Sequence, residues 1–134
     1  MEFLVETRSA NKRKFVEAIL PSIVSQLGLT ASRKAVVIRI ANECKGMGMT
    51  VPVDILDSYV VVINPKLKLK ELGLTLAHEM VHVRQMAKGL LKSKKGYNYW
   101  CGKKYSKRTK YLDMPWEQDA FARQEIIFRK AIEE

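Results

Sequence analysis

The sequence predicts a single α+β domain, and three observations carry that expectation. Helical periodicity marks both ends of the chain, short β-branched runs lie between, and the order is helix, strands, helix, hairpin, helix. With 134 residues, 47% of them hydrophobic and two tryptophans, the chain suits one folded domain over 1–134 with a single core.

The first helix is expected from Ala10 to Leu27, where Phe15, Ile19, Ile23 and Leu27 recur every four residues. Pro21 should kink that helix or divide it, and Gly28 closes it. Val36 to Ile40 is short and β-branched, a strand. Lys45 to Thr50, with Gly46 and Gly48, reads as a turn. Tyr59 to Ile63 is the strongest strand signal, an apolar run typical of a strand covered on both faces, and Asn64-Pro65 ends it. A second helix runs from Leu69 to Lys88, with Gly89 as its C′ residue. Tyr97 to Tyr105 reads as strand material turning at Gly102. Pro115 opens a last helix that extends to Ile132.

The second helix contains His78, Glu79 and His82, and these are the only two histidines present. A helix turns about 100° per residue, so residues four apart lie within about 40° of each other. Both imidazoles can therefore face one ion, and Gln85 falls on the same side. Leu76, Met80, Val83 and Ala87 form an apolar stripe on nearly the opposite side, so the histidines are not needed for the core-facing pattern. Glu79 flanks the pair and can act as general base without ligating. Zinc held by three protein ligands keeps a fourth position for water, which is the chemistry of metal-assisted hydrolysis. Random placement of two histidines and ten glutamates produces this pattern roughly once in a thousand shuffles.

A third ligand is needed, and no histidine remains. The metzincin pattern would place a glycine at Gln85 and a histidine at Lys88, so it is excluded. The candidates are Cys101 or one of Asp113, Glu117, Asp119, Glu125, Glu133 and Glu134. On the last helix, Ala120, Phe121, Gln124, Phe128 and Ala131 fall within about 60° of Glu117, which puts that acid on the core-facing stripe. Asp119 lies about 160° away, beside Arg123 and Lys130, where a solvated acid is expected. A buried carboxylate needs a partner, and for Glu117 a lysine or arginine is the alternative to a metal. Trp116 is expected to pack.

The spacing of His78-Glu79-Met80-Val81-His82 and, about 35 residues on, Glu117-x-x-Ala120 resembles the gluzincin arrangement, in which a glutamate from a downstream helix is the third zinc ligand. Phe121 stands where such proteins often carry Asp or Asn. Ile63-Asn64-Pro65 leading into Leu72 to His82 resembles the SprT-like minimal zincins, although those use a third histidine. WCGKKY (100–105) followed by YLDMPWEQDA (111–120) resembles small zincin-like proteins of phages and bacteria with a P-W-E-x-E-A motif. The resemblance spans residues 59 to 121. It implies a minimal zincin, with a small sheet packed on the metal helix and a C-terminal helix supplying Glu117. It also implies Zn2+ as cofactor, His78, His82 and Glu117 as ligands, Glu79 as catalytic base, and a protein or peptide substrate. In a zincin the strand before the metal helix pairs with extended substrate, a role open here to Tyr59–Ile63 or Val36–Ile40. Tyr111 is the candidate oxyanion stabiliser.

Of the formal net charge of +10, +8 falls between Lys92 and Tyr111. Lys92, Lys94, Lys95, Lys103, Lys104, Lys107, Arg108 and Lys110 lie there with no acid, interleaved with Tyr97, Tyr99, Trp100, Tyr105 and Tyr111. This pattern fits either single-stranded nucleic acid or a solvated hairpin whose aromatics face the core. Two other functions therefore stand beside the peptidase: a zinc-stabilised nucleic-acid-binding protein, and a phage interaction protein without proteolytic turnover. No apolar run reaches the ~20 residues of a membrane span. The first eight residues carry acid where a signal peptide needs base. The expectation is a cytoplasmic monomer with no membrane partner, its two cysteines, Cys44 and Cys101, reduced.

Overall fold

The chain is described by a computed structural model covering residues 1–43 and 45–133. Cys44 and Glu134, and with them the pairing of Cys44 with Cys101 and the candidacy of Glu134 as a ligand, lie outside the described residues. The architecture is α+β, with three helices and a mixed sheet.

Strand β1 (Glu2–Glu6) leads into helix α1 (Ala10–Gln26) and strand β2 (Ala35–Ile40). Strands β3 (Gly48–Val53) and β4 (Ser58–Ile63) follow, then helix α2 (Leu69–Ala87). Strands β5 (Leu91–Lys94), β6 (Tyr97–Trp100) and β7 (Lys103–Tyr105) precede helix α3 (Pro115–Glu133). The first sheet has the order β1-β2-β4-β3, with β1, β2 and β4 parallel and β3 antiparallel to β4. The second is an antiparallel meander, β5-β6-β7.

One face of the first sheet meets the helices. Val36, Ile38 and Ile40 of β2 stand beside Tyr59, Val61 and Ile63 of β4, and all six join the core with Leu20, Ile23, Leu72, Leu76 and Met80. The expectation that β4 is covered on both faces holds only in part: Val62 is buried on the second face, but Val60 is half-buried. Alternation at period two puts the two sets on opposite sides.

Several expectations about elements change. Helix α1 runs through Pro21 undivided, because Val16, Ile19, Leu20, Ile23 and Val24 bury one continuous face while Pro21 sits on the exposed side. Ser9 caps its start, accepting from the Lys12 backbone N–H. The expected turn at Lys45 to Thr50 gives way to β3 from Gly48 onward, an edge strand that tolerates Pro52 because an edge needs only one ladder. Strands β1 and β5 were not foreseen, and each is an edge strand.

Helix α2 is buried on nearly every side and crosses α3 closely. A Cβ on Gly73 would lie 2.1 Å from Cε1 of Phe128, so only glycine admits that ring between the helices. The contact sets how far α3 stands from α2, and hence whether side chains one to three turns further along can meet. No helix among the described residues is long and apolar enough to cross a membrane.

Candidate metal centre

Helix α2 places His78, Glu79 and His82 together, and all three are buried although polar. Their potential ligand atoms lie within 4.8 Å of one another, so this cluster can hold a metal ion. From α3, Glu117 reaches the same place: its Oε1 lies 2.9 Å from His78 Nε2 and 3.0 Å from His82 Nε2. Among the described residues Glu117 has no lysine or arginine ion-pair partner; its partners are the two histidines and the Tyr111 hydroxyl, which donates across 3.0 Å.

The opposite ring nitrogens are tethered. His82 Nδ1 is 2.8 Å from Gln85 Oε1, and Gln85 Nε2 donates to the Trp116 carbonyl and to Asp119 Oδ2, both at 2.9 Å. Those two donations settle which way the amide faces, so its oxygen meets His82 and Nδ1 must carry the hydrogen. His78 Nδ1 lies 2.7 Å from Gln124 Oε1, and an amide oxygen accepts only from an N–H. In the neutral rings both Nε2 atoms are then lone pairs, aimed at a carboxylate oxygen. Three electron-rich atoms in one place require positive charge between them, from protons on the imidazoles or from a cation. Two tethered imidazoles and one carboxylate are a donor set that fits a divalent ion.

The same convergence shifts the acids and bases. Burial pushes the Glu117 carboxyl up, but hydrogen bonds from His78 and His82 outweigh it and bring it down to about 2. Burial lowers His82, yet its bonds with Glu117 and Gln85 hold it above the ordinary histidine value. Burial raises Glu79, with His82, Thr50 and His78 pulling the other way. Tyr111 is raised to about 12 by burial and by the charge of Glu117.

Glu79 faces another element. Thr50 Oγ1 on β3 lies 2.8 Å from Glu79 Oε1 and donates to it. β3 comes this near because residue 48 is glycine: a Cβ there would meet Thr75 Cγ2 at 2.8 Å and Glu79 Cγ at 3.3 Å. A cleft of 790 Å³ opens in front, with β3 on one side, β5 on the other, and Glu79, His82, Tyr111 and Glu117 among its lining.

The helical phases put His78 beside His82 and Glu117 on the core-facing stripe of α3, and the packing of α3 on α2 brings Glu117 to the two histidines. Asp119 is a correction to the expected solvated acid: its Oδ1 accepts from the neighbouring Arg123, its other oxygen holds Gln85, and the side chain is 19% exposed. The carboxylate is long enough to span from the helix flank to α2, a reach that a phase angle ignores. Phe121 is a second correction, half-exposed instead of buried in the core, with its ring edge-on to His78 at 4.7 Å between centroids. Trp116 is buried and packs edge-on to Tyr105. Cys101 is exposed in the turn between β6 and β7, away from the cluster. Thr50 and Gln124 were missed as site residues. Gln124 lies on the same stripe as Glu117, which was the available signal, whereas Thr50 gave none.

No protein-family model, curated protein or solved structure matches the chain.

Proposed function

We propose that the chain is a minimal zincin-like metallopeptidase, with His78, His82 and Glu117 as zinc ligands and Glu79 as general base. The observation that carries this reading is the convergence of two Nδ1-tethered imidazoles and one carboxylate oxygen, beside a second carboxylate held on a different partner. Zinc suits two imidazoles and a carboxylate, and when bound it polarises a carbonyl and lowers the pKa of a water toward 7.

The chain's own groups divide the remaining work. Glu79 takes a proton from the attacking water, and its burial favours doing so by holding the carboxyl above its ordinary value. Thr50 keeps that carboxylate oriented. Tyr111 stays protonated through the neutral range and can donate to the developing oxyanion. Gln85 and Gln124 hold the imidazoles in the tautomer that presents Nε2.

An extended peptide is the substrate this cleft favours. Neither β2 nor β4 can take it, because each is paired on both sides. The outer edge of β3 is available and borders the cleft beside Glu79, so strand addition there is the supported mode.

Glu79→Gln is the test, read by metal content and by cleavage of a denatured protein. The variant is expected to keep stoichiometric zinc and to lose about 10²- to 10⁴-fold of the hydrolysis. Wild-type protein that holds zinc but cleaves nothing would sink the enzyme reading, and so would full activity in the variant.

A further inference from the structure

The β5–β7 sheet has two faces, and strand register decides what each carries. Lys92 pairs with Tyr99, Tyr99 with Lys104, and Lys94 with Tyr97. Directly paired residues point to the same side of a sheet. The other side carries Ser93, Asn98 and Tyr105, and Tyr105 packs on Trp116 of α3; at the edge strand β5 both sets reach the cleft, Lys92 and Lys94 as well as Ser93. Lys92, Lys94 and Lys104 therefore share the face turned away from α3 with Tyr97 and Tyr99. The three lysines are exposed, and Tyr97 is 39% exposed. Lys104 Nζ lies 3.8 Å from the centroid of the Tyr97 ring. No acidic residue lies between Lys92 and Tyr111 to neutralise them.

We infer that this face binds single-stranded nucleic acid, with the lysines on phosphates and Tyr97 and Tyr99 stacked on unpaired bases. Two residues apart on one strand, the tyrosines are about 6.6 Å from each other along β6, a spacing at which successive splayed bases can each find a ring. Stacking of this kind tolerates any sequence, and lysines beside it track the backbone. A duplex keeps its base faces covered and would engage the lysines alone. A membrane surface calls for aliphatic or tryptophan anchors, and this face has none. An acidic peptide would leave the tyrosines without a role. A solvated hairpin whose aromatics face the core would turn both rings toward α3, whereas the register puts them on the side opposite Tyr105, with Tyr97 exposed and Tyr99 half-buried. The inference stands apart from the hydrolase reading and does not rest on it.

The test is fluorescence anisotropy of a labelled oligothymidylate, with a duplex of equal length and polyglutamate as competitors. The single strand is expected to bind more tightly than the duplex, with affinity falling steeply as salt rises. Tyr97→Ala with Tyr99→Ala, which removes two stacking rings, should weaken binding by about thirtyfold or more while leaving the salt slope unchanged. Tyr97→Phe with Tyr99→Phe should bind like wild type, because the rings remain. Lys92→Gln with Lys104→Gln should reduce the slope by about 1.4. Absence of binding at low salt overturns the inference, as does equal affinity for the duplex. Polyglutamate displacing the oligonucleotide as readily as unlabelled strand overturns it too, and so does an alanine pair that binds like wild type.

Discussion

The α2–α3 crossing and the β5–β7 sheet use polar residues in opposite ways. At the crossing, His78, Glu79, His82 and Gln85 are buried, and each has a named partner from another residue. Among the described residues no buried side-chain nitrogen or oxygen lacks a hydrogen-bond partner. On the sheet, the lysines are exposed, and their near neighbours are aromatic rings: Lys103 stands over Tyr105 and Lys104 over Tyr97. A buried polar group forfeits several kcal/mol without its partner, so the crossing tolerates few changes. The exposed lysines keep their hydration, so that sheet can vary its charges while the fold stands. The first region depends on distance between helices, the second only on which way strands face.

The largest effect should come from breaking the crossing at its acid. Glu117→Ala is expected to lower zinc affinity by more than about 100-fold, beyond the range seen for residues that only orient a ligand. Asp119→Ala, which releases Gln85 and through it His82, should cost about 10- to 100-fold. Calorimetric titration of both variants checks the ranking. If Asp119→Ala costs more than Glu117→Ala, the assignment of the third ligand is wrong.

The spacing itself can be attacked at Gly73. Gly73→Ala forces a methyl into the Phe128 ring and should destabilise the protein by about 1–3 kcal/mol, through overpacking. Lys107→Gln, on the exposed basic segment, should stay within about 0.5 kcal/mol of wild type. Urea midpoints for the two variants measure the contrast directly, and equal midpoints would erase it.

A smaller effect is expected from pH, and its direction separates protons from metal at the crossing. His82 is raised above its ordinary 6.5, so its contribution is complete below that pH and is lost as pH rises through the raised value. Glu117 is lowered from 4.5 to about 2, so its contribution is present above pH 4.5 and is lost as pH falls toward 2. Glu79 is raised above its ordinary 4.5, so its contribution too is lost as pH rises, and chelator-treated protein should be most stable at the lower edge of the range between those ordinary values and weaken toward pH 8. With zinc present the slope should reverse in that range, because the imidazoles must be deprotonated to bind. Melting curves that fall with pH in both conditions would speak against a metal at this place.

How much of this was legible from the chain differs by element. Helices α2 and α3 were readable because each buries a stripe that repeats at the helical period, and Gly89 and Pro115 mark where one stops and the other starts. Strand β4 was readable from its apolar run. Strand β1 was not, since Val5 is its one buried residue and Phe3 and Leu4 are exposed. Strand β3 carries Gly48 and Pro52, both of which argue locally for a turn. Such edge strands exist because a neighbouring strand offers a ladder, and nothing in their own residues announces the neighbour.

Periodicity alone placed His78, His82 and Gln85 on one side of a helix, and Glu117 with Gln124 on one side of another, because an angle about a helix axis depends only on residue count. The tertiary structure alone decided that these two sides meet at hydrogen-bonding distance, that Thr50 arrives to hold Glu79, and that Asp119 reaches Gln85. Those facts depend on how closely α3 approaches α2 at Gly73 and how closely β3 approaches at Gly48. Separation between elements is set by the volumes packed between them, and a count along the chain does not contain it.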